Sequence, residues 1–190
     1  MSGAASPSRR RPPRGPTVSG TILSADCSDR GAEIVIRLEN AGARAVHYIR
    51  EIRTVRYDAG TKRLVLGLSD EGSLIGTASV HPEFSYIDPG SAAELKLLLP
   101  PRYVKLAAQA APSGELLFEQ FRPADADEII VEVAWADTPF YEDPRGRPRK
   151  KSPTEAWAQG KAVMAYVPPK APPARGRTAS KAAAKPRLRS

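Results

Sequence analysis

Side chains that commonly carry catalysis are scarce in these 190 residues, which hold one cysteine and two histidines. His47 and His81 stand 34 positions apart. A metal centre needs further ligands at short, regular spacings, and the residues around either histidine supply none. Both are expected as ordinary surface or edge residues, and no metal and no cofactor is expected. Cys27 lies between Asp26, Ser28 and Asp29; the neighbouring carboxylates disfavour a thiolate, so an inert thiol is expected and not a nucleophile. Asp125, Asp127 and Glu128 lack the Asp-x-Asp-x-Asp-Gly loop of a calcium site and suit a solvated acidic turn. Gly72 and Gly76 are not followed by the lysine and hydroxyl of a phosphate loop. The expectation is a protein that is not an enzyme, with no catalytic residue.

Cationic chemistry is better represented. Arg145, Arg147, Arg149, Lys150 and Lys151 put five positive charges into seven residues, and Arg175, Arg177, Lys181, Lys185, Arg187 and Arg189 extend the field. Such stretches bind polyanions by releasing condensed counterions, with steep salt dependence and no sequence preference. Aromatic residues are almost absent among them, so base stacking is not indicated. These cations are the candidate polyanion-binding residues, for RNA or DNA held non-specifically.

Two further groups are candidate contacts for a protein partner. Arg50, Arg53 and Arg56, with Tyr48 and Tyr57, make a basic, aromatic strand surface; arginines covering a solvated sheet face or blocking an edge explain the same pattern. Trp157, Met164 and Tyr166 belong to a segment at 152–167. There Ser152-Pro153-Thr154-Glu155 has the layout of a helix capping box, which predicts one turn of helix over Ala156 to Gln159, ended by Gly160. The apolar Val163, Met164, Tyr166 and Val167 that follow either pack back on the domain or dock a partner, in the second case as an added strand.

The elements that must position these residues are strands. Val18 to Ala25 predicts the first. In Ala32 to Asn40, Ile34, Ile36 and Leu38 alternate with Glu33, Val35, Arg37 and Glu39, as in a strand with one buried face. Arg44 to Tyr57 fits helical spacing through Ala45, Tyr48, Ile49, Ile52 and Val55, but its β-branched and aromatic content favours a strand with a bulge. Asp58-Ala59-Gly60 predicts a hairpin turn with Gly60 at positive φ, returning through Lys62 to Leu68. Asp70 to Thr77 is expected as a loop. Asp88-Pro89-Gly90 predicts a type II turn before the alternating Leu95, Leu97 and Leu99. Tyr103 to Ala110 and Glu115 to Phe121 predict a second hairpin around Pro112-Ser113-Gly114. Glu128 to Ala136 is the last strand, with Ile129, Val131, Val133 and Trp135 on one face.

Ile87-Asp88-Pro89-Gly90 before an alternating strand, and Ile-Val-Glu-Val-Ala-Trp over 130–135, resemble an immunoglobulin-like or fibronectin type III-like sandwich across residues 17–139. The resemblance implies architecture and no functional residue. The expected fold is all-β, an antiparallel two-sheet immunoglobulin-like sandwich of about eight strands.

Charge divides the chain in the same places. Residues 1–16 hold four arginines and no acid, 17–144 hold 12 basic against 20 acidic residues, and 145–190 hold 13 basic residues against Glu155 alone. The expected organisation is a disordered basic arm at 1–16, a domain at 17–143 and a basic Pro/Ala-rich tail at 144–190. A single cysteine excludes an intramolecular disulfide, and Pro12, Pro13 and Pro16 stand where the apolar run of an export signal would begin. A cytoplasmic protein without a membrane span is expected. The expected function is a non-catalytic protein-binding or scaffolding module whose basic tails supply electrostatic attachment. The alternative is a nucleic-acid-associated protein that binds through those tails.

Overall fold

The computed structural model describes residues 17–69, 82–106, 118–150 and 156–169. These form an all-β structure with eleven strands in three sheets. Strands β1 (Val18–Ser28), β2 (Gly31–Asn40) and β7 (Ala92–Leu99) make one sheet in the order β1-β2-β7. A six-stranded sheet holds β3 (Val46–Ile49), β4 (Thr54–Asp58), β5 (Arg63–Leu68), β6 (Phe84–Ile87), β10 (Glu128–Ala136) and β11 (Gly160–Tyr166). The hairpin of β8 (Tyr103–Leu106) and β9 (Phe118–Phe121) is the third. Among the described residues no helix is long and apolar enough to cross a membrane.

The two larger sheets contribute to one core. Ile34, Ile36 and Leu38 of β2, Leu64, Leu66 and Leu68 of β5, and Ile129, Val131 and Val133 of β10 are all fully buried. Their alternate spacing is what a strand needs to turn one face inward. Asp88-Pro89-Gly90 makes the expected turn, with Gly90 at φ 69° and Ser91 N–H donating to Asp88 O at 3.1 Å.

Several expectations are corrected. The sheets are not purely antiparallel: β5 runs parallel to β10, from Arg63 opposite Glu128 to Leu68 opposite Val133. A strand's own pattern encodes which face is apolar and says nothing of its neighbour's direction. Arg44 to Tyr57 is not one bulged strand but two strands, β3 and β4, joined by residues 50–53. At the β4–β5 hairpin the positive φ falls on Lys62, at 50°, and not on Gly60. The Asp58 carboxylate, which accepts from Gly60 N–H, Thr61 N–H and Thr61 Oγ1, holds that turn without it. The expected loop at Asp70 to Thr77 and the tip of the second hairpin lie outside the described residues.

The largest correction concerns the end of the folded body. Ordered sheet does not stop at 143, because β11 pairs with β10 from Ile129–Tyr166 to Trp135–Gly160. Trp135 is also opposite Tyr48, so β11 and β3 flank β10 on opposite sides and β3 takes over the side that β5 leaves at Leu68. Ala156 to Gln159 is not helical. Trp157 is instead buried in extended chain, its Nε1 donating to Thr138 O at 2.8 Å, and Gln159 N–H donates to Trp135 O. Tertiary contacts outweigh a capping signal that has only one turn to nucleate.

Candidate functional site

Among the described residues, the break between β3 and β4 builds the most site-like feature. Residues 50–53 are pinned at both ends, by Arg50 N–H donating to Glu83 O at 3.0 Å and Arg53 N–H donating to Gly67 O at 2.8 Å. Between this link and β7 lies an open depression of about 390 Å³. Arg50, Arg53 and Lys96 supply its positive charge and Glu51 its negative charge, while Ile52, Val55, Leu97, Leu98 and Tyr103 supply apolar wall.

The three cations differ in environment. Arg50 meets Glu83 at 3.6 Å and Lys96 meets Glu33 at 2.7 Å, both as exposed pairs. Exposed pairs of this kind contribute little and exchange readily. Arg53 is different, with a side chain only 14% exposed and one end held by Glu51 at 2.7 Å. Its Nε is buried with no hydrogen-bond partner among the described residues. A buried guanidinium donor without an acceptor is costly and uncommon in a folded protein.

Next to the depression, Tyr57, Phe121 and Tyr103 stack in a column. Ring centroids are 5.0 and 5.2 Å apart and the planes lie within 9° of parallel. Burial pushes both phenols above the ordinary tyrosine range, and for Tyr57 the carboxylates of Asp125, Asp127 and Asp58 add to it. Both rings therefore stay neutral at physiological pH and join the β8–β9 hairpin to β4 by packing.

The candidate residues from the sequence are distributed as follows. Arg50 and Arg53 come together at the depression. Arg56 does not join them; it lies across the sheet with Nη2 3.4 Å from Glu132. Tyr48 is buried, because its face of β3 packs into the hydrophobic core, and so belongs to no strand surface. Trp157 and Met164 are buried and Tyr166 is half-buried, which gives the first two the structural role that the sequence did not reveal. Arg145, Arg147 and Arg149 sit in a closed turn and not in loose chain, and Lys150 follows it, exposed. Asp143 accepts from Arg145 N–H at 2.8 Å and from Arg147 N–H at 3.1 Å, and pairs with the Arg147 guanidinium at 3.2 Å. These bonds, the Arg147 amide first, hold the Asp143 carboxyl below its usual range. Arg149 Nε donates to Glu142 O at 2.9 Å. Lys151, Arg175, Arg177, Lys181, Lys185, Arg187 and Arg189 lie outside the described residues.

Lys96, Leu98 and Tyr103 were missed by sequence reasoning. Lys96 is one polar residue of an alternating strand, and only the sheet arrangement brings it beside Arg50 and Arg53. Burial, then Asp26, raises the Cys27 thiol above its ordinary value. Burial lowers His47, whose ring sits 6.1 Å from that of Tyr86. His81 lies outside the described residues. Asp125, expected in a solvated acidic turn, pairs with Arg122 at 2.6 Å, and that bond lowers its carboxyl. Among the described residues no group of three His, Cys, Asp or Glu side chains is placed to hold a metal ion. Comparison with known proteins gives no match to a family model, a curated protein or a solved structure.

Proposed function

We propose that this is a non-catalytic protein-binding module on an immunoglobulin-like β-sandwich, meeting its partner at the Arg50–Arg53 depression, with the basic tails adding electrostatic attachment. The sandwich reading is supported by the common core of two sheets and by the Asp88-Pro89-Gly90 turn that opens β7. One observation carries the function: a shallow, apolar-walled depression lined by three cations against one acid, one of the cations a mostly buried arginine whose Nε donor is unused among the described residues. Arginine and aromatic side chains around partly desolvated hollows are the usual anchors of protein interfaces. The single cysteine leaves no intramolecular disulfide to form, which agrees with a reducing, cytoplasmic setting.

Affinity capture from native extract, with nuclease present, tests this reading. The intact chain is compared with the double variant Arg50→Glu, Arg53→Glu, each checked for folding by circular dichroism. Proteins retained by the first and lost from the second are expected. Capture that disappears on nuclease treatment, with no difference between the two chains, sinks the reading in favour of the nucleic-acid alternative.

A further inference from the structure

Resting on that reading of the depression, we propose that its occupant is an acidic peptide in extended conformation, laid along the outer edge of β7 with a carboxylate against Arg53.

The edge is identified by its lining. Lys96 and Leu98 are exposed on one face of β7 while Leu97 is buried on the other, yet all three line the depression. Consecutive residues of a strand share a surface only along its edge, since their side chains alternate between faces. β2 occupies one edge of β7, from Ala32–Leu99 to Glu39–Ala92, and among the described residues β7 ends its sheet. The depression therefore borders the other edge, where backbone groups of an end strand can receive an added strand.

Charge and polarity specify the added strand. Acids outnumber bases in residues 17–144, but the lining of the depression carries Arg50, Arg53 and Lys96 against Glu51 alone. Glu83 and Glu33 are held only by exposed pairs and yield to an incoming carboxylate at little cost. Arg53 is mostly buried, with one end of its guanidinium on Glu51, and among the described residues its Nε has no acceptor. An incoming carboxylate, accepting a charge-assisted hydrogen bond from the guanidinium, supplies that acceptor. Leu98, 66% exposed, and the wall of Ile52, Val55 and Leu97 suit apolar residues between the acids. The recognised pattern is thus acidic and apolar residues in alternation.

Fluorescence anisotropy of a labelled, end-capped peptide Val-Glu-Val-Glu-Val-Glu, titrated with the full chain at low salt, tests the proposal. Saturable binding below about 1 mM is expected. It should weaken by about tenfold or more when lysine replaces glutamate, when alternate amides are N-methylated, or in Arg53→Gln. If Arg53→Gln unfolds, Arg50→Gln with Lys96→Gln, both exposed, must produce the same loss. Equal affinity for the glutamate and lysine peptides, indifference to N-methylation, or no saturation overturns the proposal. So does a random-sequence oligonucleotide that binds better than the peptide and loses affinity in the same variants. If the peptide fails while capture from extract still depends on Arg50 and Arg53, the acidic strand falls and the partner-contact reading stands; if both fail, both fall.

Discussion

Among the described residues, Asn40 ties more of the chain together than any other buried polar side chain. It is 1% exposed. Its Nδ2 donates to Arg44 O at 2.7 Å and Ile87 O at 3.0 Å, with Asp88 O at 3.3 Å, while its Oδ1 accepts from Gly42 N–H at 2.9 Å. Its backbone N–H donates to Ser91 O and its carbonyl accepts from Gly90 N–H. One side chain thus fastens the end of β2 to the turn before β7 and to the chain entering β3. Asn40→Ala leaves a buried carbonyl and amide unpaired, so a loss of about 2–3 kcal/mol is expected in urea unfolding. Asn40→Asp should not restore it, because a carboxylate offers acceptors where three carbonyls need a donor.

At the scale of elements, β11 is the piece whose attachment decides most. Met164 packs against Gly20 of β1: a methyl placed on Gly20 would lie 2.5 Å from Met164 Sδ and 3.1 Å from Leu38 Cδ2. Gly160 lies under the Trp135 indole, where a methyl would come within 2.5 Å of the ring. The six-stranded sheet thus accepts β11 because two glycines leave room for large side chains. Gly20→Ala should cost about 1–3 kcal/mol through overpacking, and Met164→Ala about 2–5 kcal/mol through a cavity. In the double variant the new methyl occupies part of the space the thioether vacates. Its loss should fall short of the sum by about 1 kcal/mol in a double-mutant cycle.

For the whole molecule, the folding unit runs to β11 and not to the composition boundary at 143. A chain of residues 17–143 lacks Trp157 and Met164, both buried, and leaves the β11-facing edge of β10 uncovered. Losing such a tryptophan and methionine costs about 3–5 and 2–5 kcal/mol, which together rival the 5–15 kcal/mol that typically holds a domain. The shortened chain is expected to melt far below a chain of residues 17–169 and to self-associate through the bare edge. Differential scanning calorimetry with size-exclusion chromatography measures both; equal melting temperatures and two monomers would put the boundary back at 143.

Local alternation was enough to find the strands that line the core. Ile34, Ile36 and Leu38 are buried because period-two spacing leaves a strand one way to hide them, and Pro89-Gly90 turns because proline presets its φ while glycine accepts the positive φ of 69° that follows. Arg50 and Arg53 were also marked in advance, as a local excess of positive charge. Tertiary structure alone decided that β5 and β10 are parallel, that Trp157 and Met164 are core, and that Lys96 faces Arg53 across a hollow. These facts depend on which strand lies beside which, and side-chain periodicity records only the face a residue takes. Neighbours are chosen by shape, as where Gly20 admits Met164, and by the closing of distant backbone edges, neither of which leaves a local trace.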